Sequence, residues 1–82
     1  MNENFELALC MSESKTKKAG EAFCASVAGT EDFKSNRIFC NYTKTPQRMV
    51  ISADTNLKAG SAEKLRKGLD EVLNIFFGKE EE

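Results

Sequence analysis

The stretch RIFCNYTKTPQRMVISA, residues 37–53, contains two alternating apolar runs on either side of a polar turn. Each run places an apolar side chain at every second position, which is the period of a strand with one buried face. The inward positions are Ile38, Cys40, Tyr42, Met49, Ile51 and Ala53. Pro46 belongs in the turn, residues 43–47, because it has no N–H to donate to a sheet. The stretch therefore predicts an antiparallel β-hairpin.

The residues before the hairpin predict one more strand and a helix. Residues 5–11 alternate at period two, and their apolar positions are Phe5, Leu7, Leu9 and Met11. After a polar cluster at 12–14 that suits a helix start, residues 15–27 have helical spacing. The residues on the apolar side of that helix are Ala19, Ala22, Phe23, Ser26 and Val27. We expect the helix to end at Gly29 in the left-handed conformation, and residues 31–36 to be a polar connection.

The residues after the hairpin predict a second, longer helix. Asp54-Thr55-Asn56 is a run of three capping residues, so the helix is expected to begin near Leu57 and to end at Gly78. Its apolar positions follow steps of three and four residues, and they are Ala59, Ala62, Leu65, Leu69, Val72, Leu73 and Phe76. Gly60 and Gly68 lie inside the helix, where they either kink it or admit a neighbouring backbone.

Together these elements predict an α+β domain in the order β-α-β-β-α. Two helices packed on one face of a three-stranded antiparallel sheet would bury all five apolar stripes. We expect a single domain over residues 1–78, followed by an acidic tail, residues 79–82, that frays as chain ends do. The opposite face of the sheet would carry Glu6, Ala8, Cys10, Phe39, Asn41 and Val50.

The composition of the chain excludes several classes of function. Twelve Lys/Arg against thirteen Asp/Glu give a net charge of −1, which argues against a dedicated nucleic-acid coat. Histidine is absent, so a Ser-His-Asp triad, a Cys-His pair and a His metal ligand are excluded. The sequence has no apolar run of about 18 residues and no signal peptide, so we expect a cytoplasmic protein without a membrane span. We expect no enzyme activity, no cofactor and no metal site.

The three cysteines, Cys10, Cys24 and Cys40, are 14 and 16 residues apart. That spacing is too wide for a zinc knuckle, whose cysteines are about two to four residues apart. We interpret them as small buried hydrophobic residues in a reducing compartment, and a redox or metal cluster is the alternative.

Two apolar surfaces are candidate partner-binding sites. Ile75 and Phe77 lie off the main stripe of the last helix, and exposed apolar area commonly marks an interaction site. The residues expected to face the sheet instead are Leu65, Leu69, Val72 and Phe76. The alternative is that this end of the helix is tucked into the core. The second candidate surface is the sheet face around Phe39 and Val50.

A cluster of lysines is a candidate RNA-binding site. Lys15, Lys17 and Lys18 begin the first helix, and Lys64 and Lys67 lie in the last one. If those turns adjoin, the lysines form a basic patch that contacts RNA phosphates. The ordinary alternative is a solvated helix face.

The end of the third strand and the start of the last helix resemble a known family. Ala53-Asp54 closes the strand, Leu57-Lys58-Ala59-Gly60-Ser61 opens the helix, and Leu65-Arg66 follows. With the strand and helix order, this resembles the Pcc family, the small dimerising subunits of the KEOPS complex, over residues 5–77. The small and aliphatic positions of its first helix match Ala19, Phe23 and Val27. At residues 61–64 the chain departs from the family pattern, as a divergent paralogue would.

The resemblance implies a non-catalytic subunit that dimerises through its sheet and packs its helices on a larger catalytic subunit. The parent complex makes the threonylcarbamoyl-adenosine modification of transfer RNA, and its chemistry would belong to other subunits. The expected partners are therefore protein subunits in a homo- or heterodimer, with transfer RNA reached indirectly. The alternative function is a small RNA-binding α+β module.

Overall fold

The computed structural model describes residues 4–43 and 47–78. Six elements follow one another, and they are β1 (Asn4–Cys10), α1 (Glu13–Val27), α2 (Glu31–Lys34), β2 (Ile38–Thr43), β3 (Arg48–Asp54) and α3 (Ala59–Phe77). The predicted α+β fold is confirmed. Its order is β-α-α-β-β-α, because the short helix α2 replaces the polar connection expected at 31–36. The centre of the predicted hairpin loop, residues 44–46, and the predicted acidic tail, residues 79–82, lie outside the described residues.

The sheet is antiparallel throughout, with the strand order β1-β3-β2. The two strands of the predicted hairpin, β2 and β3, are neighbours in the sheet, and β1 pairs with the other edge of β3. Ile51 lies at the centre, where it pairs with Leu7 of β1 and Cys40 of β2. Because side chains alternate along each strand, these three residues share one face.

The helices lie on that face, and the core is between them and the sheet. The cover is incomplete, because Phe5 and Tyr42, both expected to point inward, are 40% and 37% exposed at the margins of the face. α1 packs against β2, and α3 packs mainly against α1. The buried apolar residues come from every predicted stripe, and they are Met11, Ala19, Phe23, Val27, Ile38, Met49, Ile51, Ala53 and Val72. Among residues 4–43 and 47–78, no helix is long and apolar enough to cross a membrane.

Two glycines let the elements approach closely. A Cβ atom on Gly20 of α1 would lie 2.4 Å from the ring of Tyr42 on β2. A Cβ atom on Gly68 of α3 would lie 2.9 Å from the ring of Phe23 on α1. Gly68 therefore admits a neighbouring side chain, where the sequence suggested a neighbouring backbone or a kink.

Both ends of α1 are held by hydroxyl groups. Ser12 caps the start, since its Oγ accepts a hydrogen bond from the Lys15 N–H. At the other end, Thr30 donates through Oγ1 to the Val27 carbonyl and accepts from the Phe33 N–H, which begins α2. The prediction of a left-handed Gly29 is wrong, because no described glycine has a positive φ. Thr30 completes the helix end instead.

The predicted cap of α3 is also wrong. The helix begins at Ala59, and the Asp54 carboxylate accepts a hydrogen bond from the Asn56 N–H within the connection, at 3.0 Å. The start of α3 is instead capped by Asp32 of α2, whose Oδ2 accepts a hydrogen bond from the Lys58 N–H at 3.0 Å. The Ser61 hydroxyl donates to the same carboxylate. Asp32 is 2% exposed.

The end of α3 meets the start of α1. The Lys15 ammonium donates to the carbonyl oxygens of Phe76, at 3.2 Å, and Gly78, at 2.5 Å. These carbonyls have no partner within the helix, and a positive charge also suits the negative end of the helix dipole. The two long helices therefore run antiparallel.

Candidate interaction surfaces

In the part of the chain that the structure describes, one face of the sheet has no helix on it. We call it the open face, and the residues that point to it are Asn4, Glu6, Ala8, Cys10, Phe39, Asn41, Arg48, Val50, Ser52 and Asp54. Phe39 is 47% exposed and Val50 is half-buried. Val50 pairs with Ala8 on one side and Asn41 on the other. The middle of the open face therefore carries apolar surface in contact with solvent.

The two ends of the open face differ in charge. Arg48 begins β3, and Asp54 ends it six residues later. Glu6 lies near Asp54, since it pairs with Ser52. At about 3.4 Å per residue, the basic and acidic ends are roughly 20 Å apart. The open face thus has Arg48 at one end, and two carboxylates with Arg37 beside Asp54 at the other. Phe39 lies level with Glu6, since both pair with Ser52, and Val50 lies two residues nearer to Arg48.

The end of α3 carries the second candidate surface. Phe77 is 77% exposed, and its ring meets that of Phe76 edge-on, with centroids 4.8 Å apart. Ile75, which the sequence paired with Phe77, is half-buried and packs against the core. Within the main stripe Val72 is fully buried, while Leu65, Leu69 and Phe76 are half-buried against the core. The exposed apolar area at this end of the helix is therefore chiefly that of Phe77.

Two of the lysines of the predicted patch, Lys15 and Lys64, lie far apart. Lys15 lies at the end of α3, bound to the carbonyls of Phe76 and Gly78. Lys64 lies at the opposite end of the helix pair, where it lines a shallow pocket with Gly29 and Thr30. The 15 residues of α1 separate the two ends by about 22 Å. The remaining lysines of the predicted patch are exposed, and they are Lys17, Lys18 and Lys67.

A polar cluster joins α2 to the start of α3. Glu31 forms an exposed ion pair with Lys58, whose hydrogen bond and charge lower the pKa of Glu31. The same contact raises the pKa of Lys58. The hydrogen bonds from the Ser61 hydroxyl and then the Lys58 N–H hold the pKa of Asp32 below its ordinary value. Each contact ties one helix to the other, so we assign the cluster a structural role.

Sequence reasoning missed this cluster, although a local signal was present. Thr30 precedes Glu31 and Asp32, and a threonine followed by acidic residues is typical of a helix start. Residues 31–36 contain only one apolar residue, so they have no periodicity that would mark a helix. The partner of Asp32 is 26 residues away, and no local pattern points to it.

The three cysteines have different surroundings. Cys10 is exposed on the open face, so the expectation that all three are buried is wrong. Cys24 of α1 and Cys40 of β2 are half-buried, and their side chains are close enough to interact. Burial, together with the adjacent Cys24, raises the pKa of Cys40 to about 12. Cys40 is therefore a protonated thiol at neutral pH.

The two predicted apolar surfaces, the open face and Phe77, thus lie at separate places on the fold, and Phe5 and Tyr42 add partly exposed apolar area on the helix side of the sheet. In the described part of the chain, no three or more Cys, Asp or Glu side chains are grouped to hold a metal ion. No protein-family model, no curated protein and no solved structure matches this chain.

Proposed function

We propose that this chain is a non-catalytic assembly subunit of the cytoplasm that dimerises through the open face of its sheet. The observation that carries the proposal is the exposed ring of Phe39 beside Val50, on a face that no described helix covers. An antiparallel sheet with one solvated face normally alternates apolar-in and polar-out. Apolar side chains on the outward positions are typical of a surface that binds another protein.

The charges of the open face suit a second copy of the chain. In a two-fold dimer the same patch lies on both protomers. Two sheets stacked face to face with their β3 strands antiparallel would place Arg48 of one protomer near Glu6 and Asp54 of the other. Phe39 and Val50 would then be buried between the two protomers. A closely related chain with the same pattern of charged and apolar residues on its open face would fit equally well. The dimer would then be a heterodimer.

The size of the domain favours association. A chain of 82 residues buries only about 60–65% of the surface that it exposes when unfolded, so its own core is marginal. Binding that occurs only in the folded state adds to the stability of that state. Covering the open face therefore stabilises the fold as well as forming the dimer.

By its resemblance to the Pcc family, we further propose that the dimer serves a complex of the KEOPS type. In that proposal a larger catalytic subunit binds the helical side, and Phe77 is the residue on that side with the most exposed apolar surface. The modification of transfer RNA would be carried out by other subunits. This chain would reach the RNA only through them.

Sedimentation velocity on the wild-type chain and two variants tests the proposal. We expect the wild type and Phe77→Ser to sediment as dimers, and Phe39→Ser to dissociate at the same concentration. Ala62→Ser, at an exposed position of α3, is the matched control and should remain dimeric. A wild-type chain that is strictly monomeric would overturn the proposed dimer.

Affinity purification from the native host tests the larger complex. We expect the wild-type chain to recover a larger ATPase-like subunit, and Phe77→Ser to recover less of it. A titration with transfer RNA distinguishes the alternative function. A chain that binds RNA alone, with an affinity that falls steeply as salt rises, would support an RNA-binding module instead.

A further inference from the structure

The contact between Gly20 and Tyr42 fixes how α1 lies on β2. Without a side chain at Gly20, the ring of Tyr42 comes within 2.4 Å of where a Cβ atom would be. Cys24 lies one helical turn further along α1, about 6 Å away. Cys40 lies two residues earlier on β2, about 7 Å away on the same face of the strand. The two steps are nearly equal, so a helix antiparallel to the strand brings Cys24 over Cys40.

From this juxtaposition we propose that Cys24 and Cys40 are an oxidation-sensitive pair, which closes to an intramolecular disulfide between α1 and β2. The side chains are close enough for Cys24 to raise the pKa of the Cys40 thiol. α1 and β2 approach each other to within 8 Å between Cα atoms. A disulfide needs Cα atoms about 4.4–6.8 Å apart, which is compatible with the close approach of α1 and β2 that Gly20 permits.

The third cysteine cannot replace either member of the pair. Cys10 points to the open face, whereas Cys24 and Cys40 lie on the side covered by the helices. The sheet separates their side chains. Only one intramolecular disulfide is therefore compatible with the folded chain.

A low-molecular-weight disulfide such as oxidised glutathione is a sufficient oxidant. The Cys24 thiolate attacks one sulfur of oxidised glutathione, forms a mixed disulfide and releases one glutathione thiolate, which takes up the proton lost by Cys24. The Cys40 sulfur, after losing its proton to solvent, attacks the Cys24 sulfur and releases the second glutathione. Two protein thiols are oxidised and one glutathione disulfide is reduced to two thiols.

The disulfide would fix the helix on the sheet. It closes a loop that contains α2 and the connections on either side of it. Such a link reduces the freedom of the unfolded chain. Oxidation would therefore make the fold more resistant to denaturant, and a thiol reductant would reverse the effect.

The test uses the full chain with Cys10→Ser, treated with oxidised glutathione under native conditions. Intact mass should show the loss of two hydrogens with no glutathione attached, and a non-reducing gel should show a monomer-sized band. Peptide mapping should join the peptides that contain Cys24 and Cys40. The urea midpoint should rise on oxidation and return after dithiothreitol.

Two controls make the result decisive. Cys24→Ser leaves Cys10 and Cys40 on opposite sides of the sheet, so it should form no intramolecular disulfide. Urea-unfolded Cys10→Ser protein, treated in the same way, shows that the reagent is active. If that sample oxidises while the folded protein keeps two free thiols or a stable glutathione adduct, the proposal is overturned.

Discussion

The carboxylate of Asp32 accepts a hydrogen bond from the backbone N–H of Lys58, at 3.0 Å, across 26 positions of the chain. The short helix α2 thus supplies the cap that α3 lacks, since Lys58 makes no side-chain hydrogen bond at its own helix start. Because Asp32 is buried, its carboxylate depends on these donors in place of water.

Replacing Asp32 with Ala should therefore lower the urea midpoint of unfolding. The variant loses the acceptor for the Lys58 N–H and the Ser61 hydroxyl, and a helix start without its acceptor is less stable. Glu31→Ala is the matched control, since Glu31 is the adjacent residue and its ion pair is exposed. Equal midpoints for the two variants would contradict the role of Asp32.

Acid should weaken the same contact. The pKa of Asp32 is lowered by folding, so its contribution is fully present above the ordinary value of 3.8 and is lost as pH falls through the lowered, folded-state pKa. Urea midpoints measured from neutral pH down to below that value should decline for the wild type. The decline should be smaller for Asp32→Asn, which has no carboxylate to protonate. If the midpoints of the wild type and Asp32→Asn fall equally as pH is lowered, other carboxylates account for the loss of stability in acid.

Gly20→Ala should destabilise the fold, although alanine is the better helix former. The new Cβ would overlap the ring of Tyr42, and overpacking of this kind costs about 1–3 kcal/mol. Gly60→Ala is the control, because nothing lies within 4 Å of the added Cβ there. We expect a gain of about 0.5–1 kcal/mol at that position. Adding Tyr42→Ala to Gly20→Ala should cancel part of the loss, and chemical denaturation measures the stability of all three variants.

Leu69→Ala and Phe77→Ser should separate stability from association. Leu69 is half-buried against the core, so its truncation should cost about 1–2 kcal/mol, less than the 2–5 kcal/mol of a fully buried leucine. Phe77→Ser should leave far-ultraviolet circular dichroism and the unfolding midpoint nearly unchanged, yet weaken recovery of the larger partner. If Phe77→Ser unfolds the domain as badly as Leu69→Ala, Phe77 belongs to the core and another surface binds the partner.

Arg48→Glu tests the charge pattern of the open face. Reversing the basic end should weaken the dimer, since two acidic ends would then meet in the proposed arrangement. The double variant Glu6→Lys/Asp54→Lys, measured by itself, should also be monomeric. Mixing the two variants should restore a dimer by pairing opposite charges, as measured by sedimentation velocity. Failure of the mixture to associate would exclude this orientation of the protomers.

The strands and the long helices could be predicted because their signals are local. Period two at residues 37–53 and steps of three and four along α3 each reflect one buried face, which any sheet-and-helix packing requires. The stripe through Val72 is an example, since its fully buried position followed from spacing alone.

The remaining features depend on residues that are distant in sequence. The start of α3 was misplaced because local capping residues stand at 54–56, whereas the acceptor in the structure is Asp32. The basic patch was expected on two turns that the antiparallel helices in fact separate, and Lys15 is held by the end of α3. The pairing of Cys24 with Cys40 likewise follows from how α1 lies on β2, which spacing does not reveal.

The contact of Lys15 with the carbonyls of Phe76 and Gly78 has a consequence for the order of folding. Asp32 accepts a hydrogen bond at the start of α3, and Lys15 donates hydrogen bonds to carbonyls at its end. Both residues leave the ribosome before α3 does. The helix therefore finds the group that completes each of its ends in a part of the chain that is synthesised before it. A free peptide of residues 59–77 would lack both and should be largely unfolded in water, because isolated helices of this length depend on their neighbours.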